Sequence, residues 1–375
     1  MANVSGRNTT LDGLRGIAAI SVCAYHLTSK LMVPGIFLVR GQIAVDFFFV
    51  LSGFVLALAS EGRLASGQIS PWQFIGRRIL RFFPMTALAV AIAAIAVAIY
   101  GQGRVVDHTV AQPVLGIVLS LMWLPVVAGG RLVFFPNNAL WSLSGELAIN
   151  VVFAFTAGMR LRWLIPMHIA LVLAFAILGV PGRYVGYGFQ ELANVPLTLL
   201  RVAVSFSAGV LVFRLRDRFG GAPSVHPLWL VALLMGAMLM PGGAAPWRTA
   251  YSLAYIVLLF PLLVWLAADA RPMFQRLGAA LGDLSFPLYA VHLPFVAVVA
   301  GVLLPEPLWV RLLGAWTVVA LLSVMALALD RFVDLPLRKA LIRMFTRRSS
   351  GALRTAPAWN PLPPVPEEER QPARG

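Results

Sequence analysis

Long apolar runs, separated by short arginine-bearing segments, occupy most of this sequence. Eleven can be read, at about 16–33, 43–59, 79–99, 113–129, 140–159, 163–180, 195–213, 227–241, 249–268, 284–304 and 309–329. A helix needs about 20 apolar residues to cross a bilayer, and most of the runs approach that length. Lipid offers no partner to a backbone N–H or C=O, so a crossing segment must satisfy its own polar groups, as a helix does. Charged residues make up 12% of the chain, against about 25% in a soluble domain. The expected fold is therefore an all-α, polytopic integral membrane protein.

The formal net charge is +15. In a soluble protein such an excess would point to nucleic acid. Here the basic residues lie between the apolar runs, so they are read as topology signals and no nucleic-acid partner is expected. A cytoplasmic N-terminus, with the fourth run dipping in and returning, puts the basic clusters on one side. These are Arg7 and Arg15; Arg63, Arg77, Arg78 and Arg81; Arg160 and Arg162; Arg214, Arg216 and Arg218; Arg271 and Arg276; and the group from Arg331 to Arg348. Lys30, Arg40, Arg104, Arg131, Arg183, Arg201, Arg248 and Arg311 are left as scattered charges on the other side. If the fourth run crossed, every later cluster would change sides. Pro113, Pro125 and Gly129–Gly130 also bracket that run. The expectation is ten crossings, one re-entrant segment and both termini cytoplasmic in the inner (cytoplasmic) membrane.

Residues 1–10 read as a short cytoplasmic N-terminus without the basic, apolar and small-residue regions of a cleaved signal peptide. Residues 11–345 read as one transmembrane domain. Residues 346–375 hold six prolines and the Glu367–Glu368–Glu369 run, a composition expected to be disordered. Cys23 is the single cysteine, so no intramolecular disulfide can form. It is read as a small buried hydrophobe rather than an acyl carrier. No His/Cys/Asp cluster has metal-ligand spacing, so no metal site is expected.

Ionisable residues inside a bilayer are costly and mark functional candidates. The first helix carries Asp12, Arg15 and His26. At about 100° and 1.5 Å per residue, Arg15 and His26 share one face about 16 Å apart along the axis. That face runs from an anion-binding charge near the cytoplasm to a titratable base deeper in. The plainer reading makes Arg15 a topology anchor and His26 a hydrogen-bonded core residue.

Asp46 opens the second run and needs a buried partner, either a basic residue or the first helix's histidine. Ser52–Gly53 favours close helix packing. Arg78 and Arg81 share a face at i and i+3. They suit bidentate phosphate binding, or simply mark the cytoplasmic side and meet anionic lipid. In the fifth run Ser142, Glu146 and Asn150 form one stripe, with Trp141 beside it as a possible interfacial anchor. In the tenth, Ser285, Tyr289 and His292 share a face; His292 is read either as a second catalytic group or as a structural residue.

Taken in order, these residues resemble the acyltransferase-3 family of membrane O-acyltransferases, which acetylate O-antigen, Nod factors and other surface glycans. The matching stretches are Leu11–Asp12–Gly13–Leu14–Arg15–Gly16 through His26, Asp46 to Phe54, Arg77–Arg78–x–x–Arg81 with Pro84, and Trp141–Ser142–Leu143–x–x–Glu146. Ser285–Phe286–Pro287–Leu288–Tyr289–x–x–His292 and Asp334–Leu335–Pro336 complete them. The sequence departs from the family's pattern at Leu147, Ile149 and Asn150, where a second acid and aromatics are usual, and at Asp334, where Glu is common.

The resemblance implies an acyl-CoA donor, acetyl-CoA by default, on the cytoplasmic side as a substrate rather than a bound cofactor. It implies that Arg15, Arg78 and Arg81 hold that donor, that His26 is the essential base, and that Glu146 and Asp46 support the site. The acceptor would be a hydroxyl of a carbohydrate or lipid-linked glycan. His26 would act as general base or carry the acyl group itself. A rival reading is a transporter or flippase with an Arg/His/Asp/Glu path. Transporters often show repeated halves, and no internal repeat is visible here.

Overall fold

A computed structural model describes residues 7–33, 40–106, 109–179, 192–240 and 245–349, with only the backbone described for 245–249 and 345–349. The expected disordered tail falls almost entirely outside the described residues. Each of the eleven apolar runs lies wholly or partly on a helix. We label these α1 (Thr9–Lys30), α2 (Gly41–Ala65), α3 (Pro71–Tyr100), α4 (Pro113–Leu121), α5 (Leu140–Thr156), α6 (Leu161–Gly179), α7 (Leu192–Phe219), α8 (Pro227–Leu239), α9 (Ala250–Asp269), α10 (Gln275–Leu303) and α11 (Leu308–Met344). Seven of them (α2, α3, α6, α7, α9, α10 and α11) are long and apolar enough to cross a bilayer, by length and composition. The protein is a multi-pass membrane protein.

Local chemistry sets the helix starts. Asn8 caps α1 by accepting from the N–H groups of Thr10 and Leu11, while its own amide donates to the Ala267 and Ala268 carbonyls at the end of α9. Ser70 and Gln73 form a reciprocal capping box ahead of α3, with Pro71 at the first helical position.

The fourth run differs from a continuous apolar helix. Helix α4 ends at Leu121, and an antiparallel hairpin of β1 (Val126–Ala128) and β2 (Arg131–Val133) follows. Gly129 and Gly130 both have positive φ, which a tight two-residue hairpin turn requires. Pro125 and this glycine pair break the helix. At about 1.5 Å per residue, nine residues cover about 14 Å, less than half of the ~30 Å hydrocarbon core.

Helix α1 sits at the centre, packed by α2, α8, α9, α10 and α11. Its closest partner is α10. A β-carbon on Gly16 would lie 2.3 Å from the Leu281 carbonyl oxygen, so only glycine permits this approach. Contacts along the pair run from Thr9 with Gly278 to His26 with His292. Residue numbers therefore rise together and the two helices are parallel. Helices α2 and α7 form a second close seam, where Gly53 abuts the Phe206 carbonyl and Gly209 the Val50 carbonyl. The outward faces of α3, α6 and α11 expose Ile95, Ile99, Leu173, Ile177, Leu321 and Val324, as a lipid-facing surface would.

Candidate active site

The sequence-predicted polar residues gather at two depths along α1. At its N-terminal end, Arg15 donates from Nε to Ser285 Oγ at 2.9 Å and from Nη2 to the Gly282 carbonyl at 2.9 Å, with Asp12 at 3.3 Å. Arg7 bridges Asp12 and Asp283. Helix α3 brings in Arg78, whose Nη2 donates to Glu146 Oε1 at 2.9 Å; Ser52 donates to the same oxygen at 2.9 Å. Arg81 pairs with Asp334 at 3.3 Å, and Arg338 lies 3.5 Å from the same carboxylate. Arg78 stacks over Phe82 and Arg81 over Phe286.

Arg15 and Arg81 meet neighbouring residues of α10, Ser285 and Phe286, and Arg78 lies one turn before Arg81 on α3. Three guanidiniums on two helices thus converge, and Arg15 and Arg81 each keep about a third of their side-chain surface open. Arg78 Nε is buried without a protein partner. Such a cluster suits a polyanion, since guanidinium forks match phosphate oxygens.

The second depth is built around His26, which is partly accessible. Its ring centroid lies 5.3 Å from that of the buried His292. His292 Nδ1 is 2.8 Å from the Tyr289 carbonyl. The Tyr289 hydroxyl is 2.6 Å from Ser142 Oγ, joining α10 to α5. Phe48 meets the Tyr289 ring edge-on. The predicted face Ser285–Tyr289–His292 therefore touches both depths: Ser285 holds Arg15, and His292 packs on His26.

Asp46 does not partner His26. It receives two hydrogen bonds from Arg201, at 2.7 and 2.6 Å, and one from Ser205 at 3.3 Å. Arg201, expected among the scattered outer-side charges, is buried in the protein and stacks over Trp141. Its position inside an apolar run was the available signal, because an arginine there must find a partner. Cys23 is fully buried.

Sequence reasoning missed two further residues. Glu61 takes two hydrogen bonds from Arg214, at 2.7 and 2.6 Å, lower in the α2–α7 seam. Asn137 donates to the Ala290 carbonyl at 2.8 Å. Pro294 has no N–H to offer that carbonyl, so Asn137 replaces the missing helical bond. Among the described residues, no group of three His, Cys, Asp or Glu could hold a metal ion.

This arrangement, a guanidinium cluster at one end of α1 and an open histidine at the other, meets a clear match among known proteins. The profile described as an acyltransferase domain fits residues 8–329, taking in both depths of the site. The chain belongs to the acyltransferase-3 family. It is 29% identical over 271 residues to the exopolysaccharide production protein ExoZ of Rhizobium meliloti, covering 69% of this chain and 78% of that one. It is 35% identical over 156 residues to protein 2 of the picA locus of Rhizobium radiobacter, covering 38% of this chain and 79% of that one. A third relative, the acyltransferase MdmB of Streptomyces mycarofaciens, is 31% identical over 163 residues, 39% of this chain and 38% of that one. No solved structure matches. The protein is an O-acyltransferase enzyme.

Proposed function

We propose that this acyltransferase moves an acyl group, acetyl by default, from acyl-CoA to a hydroxyl of a cell-surface or secreted glycan. One observation carries the reading: a single helix, α1, holds both Arg15, which meets α10 at Ser285 beside the Phe286 that Arg81 stacks on, and a partly accessible histidine about 16 Å further along. The arginine end suits the phosphates of coenzyme A and the histidine end suits the reacting centre. The glycan acceptor is inferred from ExoZ, whose name places it in exopolysaccharide production.

In the proposed reaction, neutral His26 takes the proton of the acceptor hydroxyl as its oxygen attacks the thioester carbonyl. The C–O bond forms, the C–S bond breaks, and the imidazolium returns the proton to the departing thiolate. General-base help of this kind contributes about 10²–10⁴-fold. Glu146 orients Arg78, and Asp46 acts indirectly, by holding Arg201 over the Trp141 ring.

The same proposal includes ten crossings of the cytoplasmic membrane, a re-entrant fourth run and cytoplasmic termini. The parallel α1–α10 pair supports it. If α4 crossed with the other ten, α10 would run antiparallel to α1.

The test uses purified protein and acetyl-CoA, reading free thiol release and donor binding. Wild type should bind and turn over the donor. Arg78→Ala should bind weakly, and His26→Ala should bind normally but turn over about 10²–10⁴-fold more slowly. If wild type has no affinity for any acyl-CoA, the donor assignment fails and a transport path through these residues takes its place.

A further inference from the structure

The His292 side chain is buried against His26 and has one nitrogen to spare. It is 1% exposed, and Nε2 has no hydrogen-bond partner. Nδ1 sits 2.8 Å from the Tyr289 carbonyl oxygen. A carbonyl can only accept, so Nδ1 carries the proton, and the neutral ring presents Nε2 as a lone-pair acceptor. A buried acceptor without a donor is costly. The group beside it is His26, with ring centroids 5.3 Å apart and planes tilted by 37°. Neither nitrogen of His26 has a hydrogen-bond partner among the described residues.

We infer that His292 is the positioning residue of the base: when the acceptor enters, the His26 ring turns so that its N–H reaches His292 Nε2, which fixes which His26 nitrogen faces the acceptor hydroxyl. This rests on His26 being the base. An activated nucleophile commonly has its base oriented by a third group. Here that group is a neutral imidazole whose own tautomer is set by a helix carbonyl. When His26 takes the acceptor's proton, its other N–H remains on His292 Nε2, and the positive charge is shared across that bond. The proton then leaves from the substrate-facing nitrogen to the CoA thiolate, so His292 ends each turnover unchanged. His292 itself never touches substrate.

Three substitutions in the full chain separate positioning from packing. Gln carries an acceptor oxygen at a reach similar to Nε2; Asn reaches only as far as Nδ1; Leu fills the space without polarity. The readouts are kcat and KM for acetyl-CoA with thiol release, beside wild type and His26→Ala. His292→Asn and His292→Leu should lose about 10–100-fold in kcat at unchanged KM, while His292→Gln keeps most of wild-type kcat. Equal losses in all three variants, or wild-type kcat in Asn and Leu, would overturn the inference while leaving His26 as base. A His26→Ala protein with wild-type turnover would instead remove the base reading itself. Should the variants fail to fold, the ¹⁵N imidazole spectrum of a chain retaining only His26 and His292 decides. Protonated Nδ1 on His292 with Nε2 as a hydrogen-bonded acceptor supports the assignment, and an Nε2–H tautomer overturns it.

Discussion

Two helix seams in this enzyme share one architecture and treat charge in opposite ways. Both α1–α10 and α2–α7 are parallel pairs, brought close by glycines whose added β-carbons would strike a facing backbone carbonyl. In the α2–α7 seam the buried acids are fully engaged: Asp46 with Arg201, Glu61 with Arg214, each bidentate. In the α1–α10 seam polar groups stay available. Arg15 is partly open, His26 is accessible, and His292 Nε2 lacks a donor. A membrane protein tolerates unsatisfied polarity only where water or a ligand arrives. The contrast marks α2–α7 as scaffold and α1–α10 as the reacting side.

Breaking the scaffold pair should give the largest stability effect. Asp46→Asn removes the carboxylate of a buried bidentate ion pair with Arg201, which costs about 3–5 kcal/mol. Thermal unfolding in detergent should show it, with acetyl-CoA KM unchanged in the protein that remains folded. Replacing both partners, Asp46→Leu with Arg201→Met, should recover most of that loss, because an apolar pair of similar volume removes both buried charges together. If the double variant is as unstable as the single one, the pair does more than neutralise itself and the division between the seams weakens.

An arginine on the reacting side should behave differently. Arg81→Ala leaves Asp334 beside Arg338, 3.5 Å away, so the carboxylate keeps a counter-charge and stability should hold. Donor affinity should fall. Losing one charge-assisted bond is worth about 1.5–3 kcal/mol, which raises KM for acetyl-CoA roughly 10–100-fold. A fall in melting temperature at constant KM would move Arg81 into the scaffold.

The helices were legible because apolar runs of bilayer length leave a chain few alternatives. The short α4 was partly legible, since Pro125 and Gly129–Gly130 stand where its run breaks. Which charge meets which was not. Counting loops placed Arg201 among the outer-side charges, but its burial against Asp46 depends on how α7 rotates toward α2. Glu61 stayed hidden for a related reason. It ends a wide π-turn, Ala57–Glu61, which no residue type there demands. Between its two ion pairs α2 uses 15 residues, 46 to 61, where α7 uses 13, 201 to 214. A π-turn lodges extra residues in a helix without lengthening its path to match, and so lets both pairs stay in register. The polar faces of α1, α5 and α10 were readable from spacing alone; their meeting, Ser142 on Tyr289 and His26 on His292, required the fold.

The smallest predicted effect concerns how the reacting side keeps its shape. Pro294 interrupts α10 two residues beyond His292 and leaves the Ala290 carbonyl without a helical donor. Asn137 supplies one from outside the helix at 2.8 Å. Asn137→Leu should therefore cost about 1–3 kcal/mol, the penalty for a buried unpaired acceptor. In a Pro294→Ala background the chain regains an N–H at position 294, and α10 can close its own bond to Ala290. The same Asn137→Leu change should then cost clearly less, and a double-mutant cycle in thermal unfolding measures the difference. A coupling energy near zero would mean that Asn137 stabilises the fold by some route other than the proline gap. A large one would tie the backbone of α10 at Pro294, and so the placement of His292 beside His26, to a side chain that touches neither histidine.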